Sequence, residues 1–470
     1  MESPLFLSIC PNGKEDSPLS PSENKMGVMP VRPLLLTMSW PMMLSMLVQA
    51  LYNMVDSMFV AQLNSDAFVA LSLVFPVQSL ITAIQAGTGV GVNTMLSRRL
   101  GQKRPEEASA VACHGYFLYF LCWVVFLTLG MLFARPFMEL YSDVPRVIEY
   151  GVTYLRIVVL FSLGSCMQFA AERVLQASGN SIGPMVIQGV GAIVNLILDP
   201  ILIFGLLGFP RLEVAGAAIA TGLGQVVGMV IGLVMVARSP IVHVSFRGFR
   251  PQGAIVADIY RIGLPAIVMQ SLFTIMTLGT NKILALFSDT GVFIMGAYFK
   301  VQSFVFMPIF GMNNGLTPIV SYNYGAKRPD RIREAIHFAL LIGGGIMLLG
   351  TAVFLLFPGA LLGFFDADAA TLAAGIPALR ILCLSFLPAG ISILLSSAFQ
   401  ALGVPSLSLG LSLLRQVILI FPLALLLGLA AGAGAVWYAF VIAEALPCIG
   451  ALVLYRWFSK TKIDAISCQP

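Results

Sequence analysis

The sequence SRRLGQKRPE at residues 97–106 returns as SYNYGAKRPD at residues 321–330, with five of the ten positions identical. The same shift of 224 residues places Pro41 on Pro265. Other identities at this shift are Gln78 with Gln302, Gly87 with Gly311, Gly91 with Gly315, and Gln176 with Gln400. Because the matches need no gap, we infer that the chain contains two copies of one structural unit.

The composition indicates a membrane protein. Of the 470 residues, 58% are hydrophobic and only 10% are charged, with a mean hydropathy of +0.91. Soluble proteins carry about 25% charged residues. A membrane-spanning helix needs about 20 apolar residues, so this chain can supply on the order of a dozen. We therefore predict that the protein lies in the lipid bilayer. Its net charge of +5 does not indicate binding to nucleic acid.

Apolar segments recur six times in each repeat. They cover residues 33–60, 68–95, 110–134, 147–170, 183–207, 214–237, 259–286, 292–318, 335–358, 371–396, 406–429 and 434–457. Six spans, an even number, separate equivalent positions, so both repeats have the same orientation in the membrane. The predicted fold class is an all-α polytopic membrane protein. Its twelve transmembrane helices form two six-helix lobes related by a pseudo-two-fold axis along the membrane normal.

The loops predict the orientation. Basic residues collect in the connections after even-numbered spans: Arg98, Arg99, Lys103, Arg104, Arg173, Arg238, Arg247, Arg250, Lys327, Arg328, Arg331 and Arg333. These loops are cytoplasmic by the positive-inside rule, so both termini are predicted to be cytoplasmic in a bacterial inner (plasma) membrane. The predicted units are a disordered cytoplasmic tail at 1–29, an N-lobe at 30–240, a cytoplasmic linker at 241–256, a C-lobe at 257–458 and a cytoplasmic tail at 459–470.

Polar side chains inside the spans mark a candidate cation site in the first repeat. Asp56 lies deep in span 1, and Gln49 precedes it by two helical turns on the same face. Asn195 and Asp199 in span 5 are four residues apart and share one helix face. An acid at a helix centre costs about 2.5–3.5 kcal/mol, so it needs a partner or a task. Hydroxyls of Tyr154 and Thr221 complete an oxygen-rich set suited to a proton or Na⁺.

The second repeat has no acid at the positions that match Asp56 and Asp199, and it carries basic residues instead: Lys282, Lys300, Arg380 and Arg415. We predict a buried Lys282–Glu444 pair there. Glu172 and Arg173 follow span 4 in the first repeat and are predicted to form an interfacial pair or a gate. The seven cysteines and three histidines lack metal-ligand spacing, so no metal site beyond Na⁺ is expected.

Four stretches together resemble the multidrug and toxic compound extrusion (MATE) transporters, closest to the prokaryotic DNA-damage-inducible type. They are LYNMVDSMFV at 51–60, GTGVG at 87–91, RLGQK at 99–103 and NLILDP at 195–200. The resemblance implies a two-lobe exporter whose cation site comprises Asp56, Asn195 and Asp199, with Gln49, Tyr154 and Thr221 as neighbours. Another branch of the family carries acids on spans 7 and 10. This chain lacks them inside those spans, so no C-lobe Na⁺ site is expected.

The predicted function is secondary active multidrug efflux by alternating access. Cationic or amphipathic compounds would leave in exchange for H⁺ or Na⁺, with no other cofactor. Met42, Met46 and Phe75 are predicted to line the substrate cavity, where methionine and aromatic side chains suit lipophilic cations. The Gly87–Gly91 cluster is interpreted as close helix packing, because it lies inside an apolar span and no nucleotide-binding loop occurs elsewhere. The transporter is expected to work as a monomer.

Three alternatives stay open at this point. A flippase for lipid-linked oligosaccharides or polysaccharides would need cationic cavity residues, for which Lys282, Lys300, Arg156 and Arg380 are candidates. An ion channel is disfavoured by a repeat whose two halves carry different charges. An enzyme is disfavoured because no metalloprotease, serine-hydrolase or paired His–Asp motif is present.

Overall fold

The computed structural model describes residues 24–61, 63, 65–363, 365 and 368–463, without the side chains of 56–58, 60, 61 and 65. Within this part of the chain, twelve helices are long and apolar enough to cross a membrane. The first six are α1 Val31–Ala61, α2 Ser65–Gly101, α3 Pro105–Tyr141, α4 Pro145–Ala177, α5 Ile182–Phe204 and α6 Glu213–Ala237. The second six are α7 Gly253–Ala285, α8 Asp289–Gly325, α9 Pro329–Leu356, α10 Ala369–Ala401, α11 Pro405–Ala431 and α12 Ala433–Ile463.

The predicted fold class is confirmed, but several helices extend beyond the apolar segments. Helix α2 continues to Gly101 and α8 to Gly325. Arg98 and Arg99, predicted to lie in a loop, are therefore in the last turn of α2, and Arg173 lies inside α4. Helix α7 starts at Gly253, inside the linker predicted for 241–256. Helix α12 continues to Ile463, which is fully buried, so the predicted C-terminal tail at 459–470 begins too early. Polar residues extend these helices because a helix needs apolar residues only within the bilayer.

The predicted disordered tail at 1–29 also extends too far, because its last residues are folded. A short helix, Lys25–Val28, precedes α1, and its Met26 is fully buried. Arg331 at the start of α9 donates to the carbonyls of Met26 at 3.0 Å and Met29 at 2.7 Å. This segment is therefore docked on the second lobe; residues 1–23 lie outside the described part of the chain.

The helices form two lobes, the N-lobe (α1–α6) and the C-lobe (α7–α12), which meet through α1 and α2 on one side and α7 and α8 on the other. The contact lies at the end of the bundle that carries the repeated basic loops, called the basic end below. There Gly101 packs against the carbonyl of Tyr322, and Gly325 packs against the carbonyl of Arg98. A Cβ on either glycine would overlap the opposite backbone. Since the 224-residue shift turns one contact into the other, the lobes are related by pseudo-two-fold symmetry.

The glycine cluster of α2 extends this seam. Gly87 contacts the backbone of Gly263 and Ile267 on α7, and Gly91 contacts the carbonyl of Ile259. Their counterparts Gly311 and Gly315 contact α1 at Met43 and Ser39. The interpretation of this cluster as a helix-packing element is therefore confirmed.

We predict that Gly101→Ala holds the lobes apart at the basic end, because the added methyl group meets a rigid backbone carbonyl. Overpacking of this kind costs about 1–3 kcal/mol. Spin labels at the exposed residues Glu106 and Asp330 should report a longer distance or a broader distribution in the variant. Gly345→Ala is the matched control, since nothing lies within 4 Å of a Cβ at that position. An unchanged distance in Gly101→Ala would contradict the assignment of this seam.

Candidate functional site

A polar cavity lies inside the N-lobe, between α1, α4, α5 and α6. It encloses about 590 Å³ that protein atoms do not fill, including its open mouth. Small residues of α5 and α6 make room for it, because glycine and alanine at Gly191, Ala192 and Gly224 project little into the space. Five amide side chains line it: Gln49, Gln168, Gln188, Asn195 and Gln225. Tyr52 and Phe169 supply aromatic surface, and Ser165 and Thr221 supply hydroxyls.

Asn195 joins the cavity to the acid of α5. Its Nδ2 donates to Asp199 Oδ1 and to Thr221 Oγ1, both at 3.2 Å. Asn195 and Asp199 are one helical turn apart, which places them on one face as their spacing predicts. Asp199 is 1% exposed. The arrangement concentrates carboxylate, amide and hydroxyl oxygens, the donor types that hard cations and protons prefer.

The structure brings three of the six predicted coupling residues to this cavity, and Asp199 adjoins it through Asn195. Gln49 lines the cavity from α1. Tyr154 is buried on α4, where its hydroxyl accepts from Gln78 Nε2 at 3.2 Å. Asp56 belongs to α1, about 10 Å along the helix axis from Gln49, but its side chain lies outside the described residues. The proximity of Asp56 to Asp199 therefore stays a prediction.

The three predicted wall residues do not line this cavity. Met42 is fully buried, and its sulfur accepts from Gln176 Nε2 at 3.3 Å. Met46 lies one turn further along α1 and is half-buried. Phe75 on α2 is 62% exposed. The helices are rotated so that Tyr52 and Phe169 supply the aromatic wall instead.

A second polar cluster occupies the end of the cavity nearer the basic loops. Glu172 is fully buried, and each of its carboxylate oxygens accepts from one glutamine: Oε1 from Gln168 at 3.0 Å and Oε2 from Gln188 at 2.8 Å. Ser45 of α1 donates in turn to Gln188 Oε1. Neither glutamine was predicted from the sequence. The i, i+4 spacing of Gln168 and Glu172 inside an apolar span was the available signal.

Arg173 does not pair with Glu172, so the predicted pair is wrong. Adjacent residues on a helix point in different directions. The Arg173 guanidinium donates to Gln176 at 2.9 Å and to Asn314 of α8 at 3.0 Å, which links the two lobes. It also lies 5.7 Å from the centre of the Phe169 ring. A gate role for Arg173 stays a prediction, now based on this contact between the lobes.

The predicted Lys282–Glu444 pair is also wrong. Glu444 of α12 accepts from Arg415 of α11 at 3.3 Å, and both side chains are less than a fifth exposed. Arg415 lies in a π-helical turn, Leu414–Leu419, which rotates it toward α12. Lys282 is exposed near the end of α7. Helical periodicity identifies neighbours within a helix, but it leaves the rotation of each helix against the next undetermined.

Known proteins share the two-repeat organisation of this chain. The MatE family model matches residues 41–201 and again residues 265–426, and both matches start at the equivalent prolines of the repeat. An FAD transporter of Shewanella oneidensis is 28% identical, with 84% of this chain and 88% of that protein covered. Multidrug export protein MepA of Staphylococcus aureus is 25% identical, with 93% and 96% covered.

Solved structures agree with this result. The outward-facing conformation of a multidrug resistance MATE family transporter superposes with a TM-score of 0.87 at 26% identity, with 94% of this chain and 98% of that chain covered. A transporter of the MOP superfamily from Pyrococcus furiosus gives 0.86 at 25% identity with the same coverage. With a family model matching both halves and this shared fold, the chain belongs to the MATE family of membrane transporters, and it is not an enzyme.

Proposed function

We propose that the protein exports cationic or amphipathic compounds in exchange for H⁺ or Na⁺ by alternating access. The observation that carries this proposal is the buried Asp199 carboxylate, which Asn195 connects to a polar cavity inside the N-lobe. Ionisable residues inside membrane spans are rare and commonly mark ion or substrate pathways. The matched relatives named as multidrug export proteins support the same activity.

The exchange requires that cargo and ion use overlapping space. Gln49, Asn195 and Thr221 line the cavity, and Asn195 also donates to Asp199. A cation that binds Asp199 draws on the same amide and hydroxyl groups that a cargo would contact. Ion binding therefore weakens cargo binding, and this mutual exclusion couples the two movements. Asp56, on α1, is the proposed second carboxylate of the ion site.

We assign the basic end to the cytoplasm by the positive-inside rule, with both termini on that side. The glycine seam closes this end, so the arrangement described here is the one in which the cytoplasmic path is shut. Separation of Gly101 from Tyr322 and of Gly325 from Arg98 would open it. A single chain contains both lobes and the seam, so a monomer suffices for transport.

The cavity favours cationic over anionic cargo. None of the described residues that line it carries a positive charge, whereas two are aromatic and can contact a cation. A flavin nucleotide or a lipid-linked pyrophosphate would need cationic partners. The candidates for that role are exposed residues outside this lining: Arg156, Lys282, Lys300 and Arg380. This arrangement argues against the flippase alternative and against FAD as the cargo.

We predict that Asp199→Asn strongly slows ion-driven ethidium transport in proteoliposomes and leaves the fold intact. The asparagine keeps the volume and can still accept from Asn195, but it cannot bind a proton or balance Na⁺. The initial exchange rate should fall by at least about tenfold, which corresponds to about 1.4 kcal/mol. Asp143→Asn is the matched control, because Asp143 is exposed outside the cavity. Equal rates for the two variants would contradict the proposed role of Asp199.

The identity of the coupling ion is tested by imposing one gradient at a time. A pH gradient alone and a Na⁺ gradient alone should each be applied to wild-type vesicles loaded with ethidium. We expect efflux with at least one of them, and Asp56→Asn should remove the response. Ethidium movement that needs neither gradient would count against coupled exchange.

A further inference from the structure

Glu172 is a second buried acid of the N-lobe, and neither the ion site nor the gate accounts for it. Both of its oxygens accept amide hydrogens, from Gln168 at 3.0 Å and Gln188 at 2.8 Å. Both glutamines also line the cavity, so Glu172 lies directly behind the cavity wall. It is separate from the Asp199 site, because Gln188 precedes Asp199 by eleven residues on α5, about 16 Å along the helix axis.

The charge of Glu172 is not balanced by an ion pair. Within the described part of the chain, no cationic nitrogen lies within 4.0 Å of its carboxylate. The ionisable groups that face it are Arg173 on its own helix and Tyr119 on α3. Arg173 is held by Gln176 and Asn314, and the Tyr119 hydroxyl donates to the carbonyl of Gln85 at 2.7 Å.

Among the described residues, the groups that the remaining packed helices place at Glu172 or at its glutamine partners are uncharged. Helix α5 contributes Gln188, and Ser45 of α1 lies behind it. Helix α6 contributes Gly228, which packs against Gln168. A buried carboxylate without a direct ion pair is costly, and a bound proton removes that cost.

The hydrogen-bond pattern also connects the protonation of Glu172 to α1. As a carboxylate, Glu172 accepts from the Gln188 amide, whose oxygen accepts from Ser45. Protonation on Oε2 gives Glu172 an O–H that faces Gln188, and the Gln188 amide accepts it by turning to offer its oxygen. That turn removes the acceptor of Ser45. Protonation of an acid on α4 thus changes a contact of α1, the helix that carries Asp56.

The electrostatic surroundings of Glu172 also depend on how the two lobes are arranged. Arg173, the next residue, is anchored to Asn314 across the seam at 3.0 Å. Separation of the lobes at the basic end releases the guanidinium and changes the charge near Glu172. A group whose surroundings differ between two conformations binds its ion more tightly in one of them, which is the requirement for coupling.

We propose that Glu172 is a second proton-binding group of the N-lobe and carries one proton in each transport cycle. This inference rests on the ion-coupled exchange proposed above. Glu172 then adds one to the number of protons exchanged for each cargo molecule, in addition to any role in packing.

The test measures how large an ethidium gradient a fixed pH gradient can sustain in proteoliposomes with the membrane potential clamped at zero. This final ratio depends on the number of coupled protons and not on the transport rate. Glu172→Gln should lower the ratio by about tenfold per unit of pH difference, because one proton fewer is exchanged. Glu172→Asp should retain the wild-type ratio. Glu139→Gln, at an exposed position, is the control with the same chemical change.

The outcomes separate the two proposals. A wild-type ratio in Glu172→Gln at a slower rate means that Glu172 is only structural, and it overturns this inference while ion-coupled exchange stands. A gradient in wild-type vesicles that follows Na⁺ alone also overturns it. No gradient in wild-type vesicles with either ion means that the proposed function itself fails.

A second measurement needs no variant. Dicyclohexylcarbodiimide modifies protonated carboxyl groups in apolar surroundings, and mass spectrometry of the wild-type protein locates the adduct. We expect modification of Glu172 that increases as the pH is lowered and decreases when ethidium fills the cavity. Glu139, which is exposed and paired with Arg135 at 2.9 Å, should stay unmodified. No adduct on Glu172 at any pH would overturn the inference.

Discussion

The contact between the two lobes is made by backbone against backbone, and the rest of the architecture depends on it. Gly101 and Gly325 allow the carbonyls of Tyr322 and Arg98 to approach where any side chain would intervene. Packed atoms that lack flexible side chains have few ways to adjust. Such an interface is either closed or open, because interdigitated surfaces do not deform continuously. The same seam brings Arg173 of the N-lobe within hydrogen-bond distance of Asn314 of the C-lobe.

The lobes share this packing but differ in chemistry. The positions that match Asn195 and Asp199 in the second repeat are Leu419 and Leu423, and the position that matches Glu172 is Ser396. The C-lobe does contain a charged pair, Arg415 with Glu444, but its charges balance each other. The N-lobe instead holds two buried acids, Asp199 and Glu172, whose described hydrogen-bond partners are amides. In the proposed exchange, one lobe carries the ion-binding groups and the other provides the surface against which that lobe moves.

The sequence predicted the features that repeat along one helix and missed those that join different helices. The 224-residue shift identified the two lobes, and the i, i+4 spacing of Asn195 and Asp199 predicted their shared face. The partners of Glu172 could not be predicted fully, because Gln188 comes from another helix whose rotation no periodicity specifies. The incorrect prediction that Glu444 pairs with Lys282 has the same cause. Phe75 was wrongly predicted to line the cavity for a related reason. Helix α2 is apolar on all sides, so the sequence does not show which face of the helix points toward the cavity.

The docked segment before α1 limits how the molecule can move. Met26 and Met29 are bound by Arg331 of the C-lobe, whereas Val31 already begins the first helix of the N-lobe. Only two peptide links join Met29 to Val31, and fully extended they reach about 7 Å. The amino-terminal segment is thus a short link between the two lobes at the basic end. If the lobes separate at this end by more than that length, the bonds from Arg331 to Met26 and Met29 must break first, so this segment limits how far they can open while it stays docked.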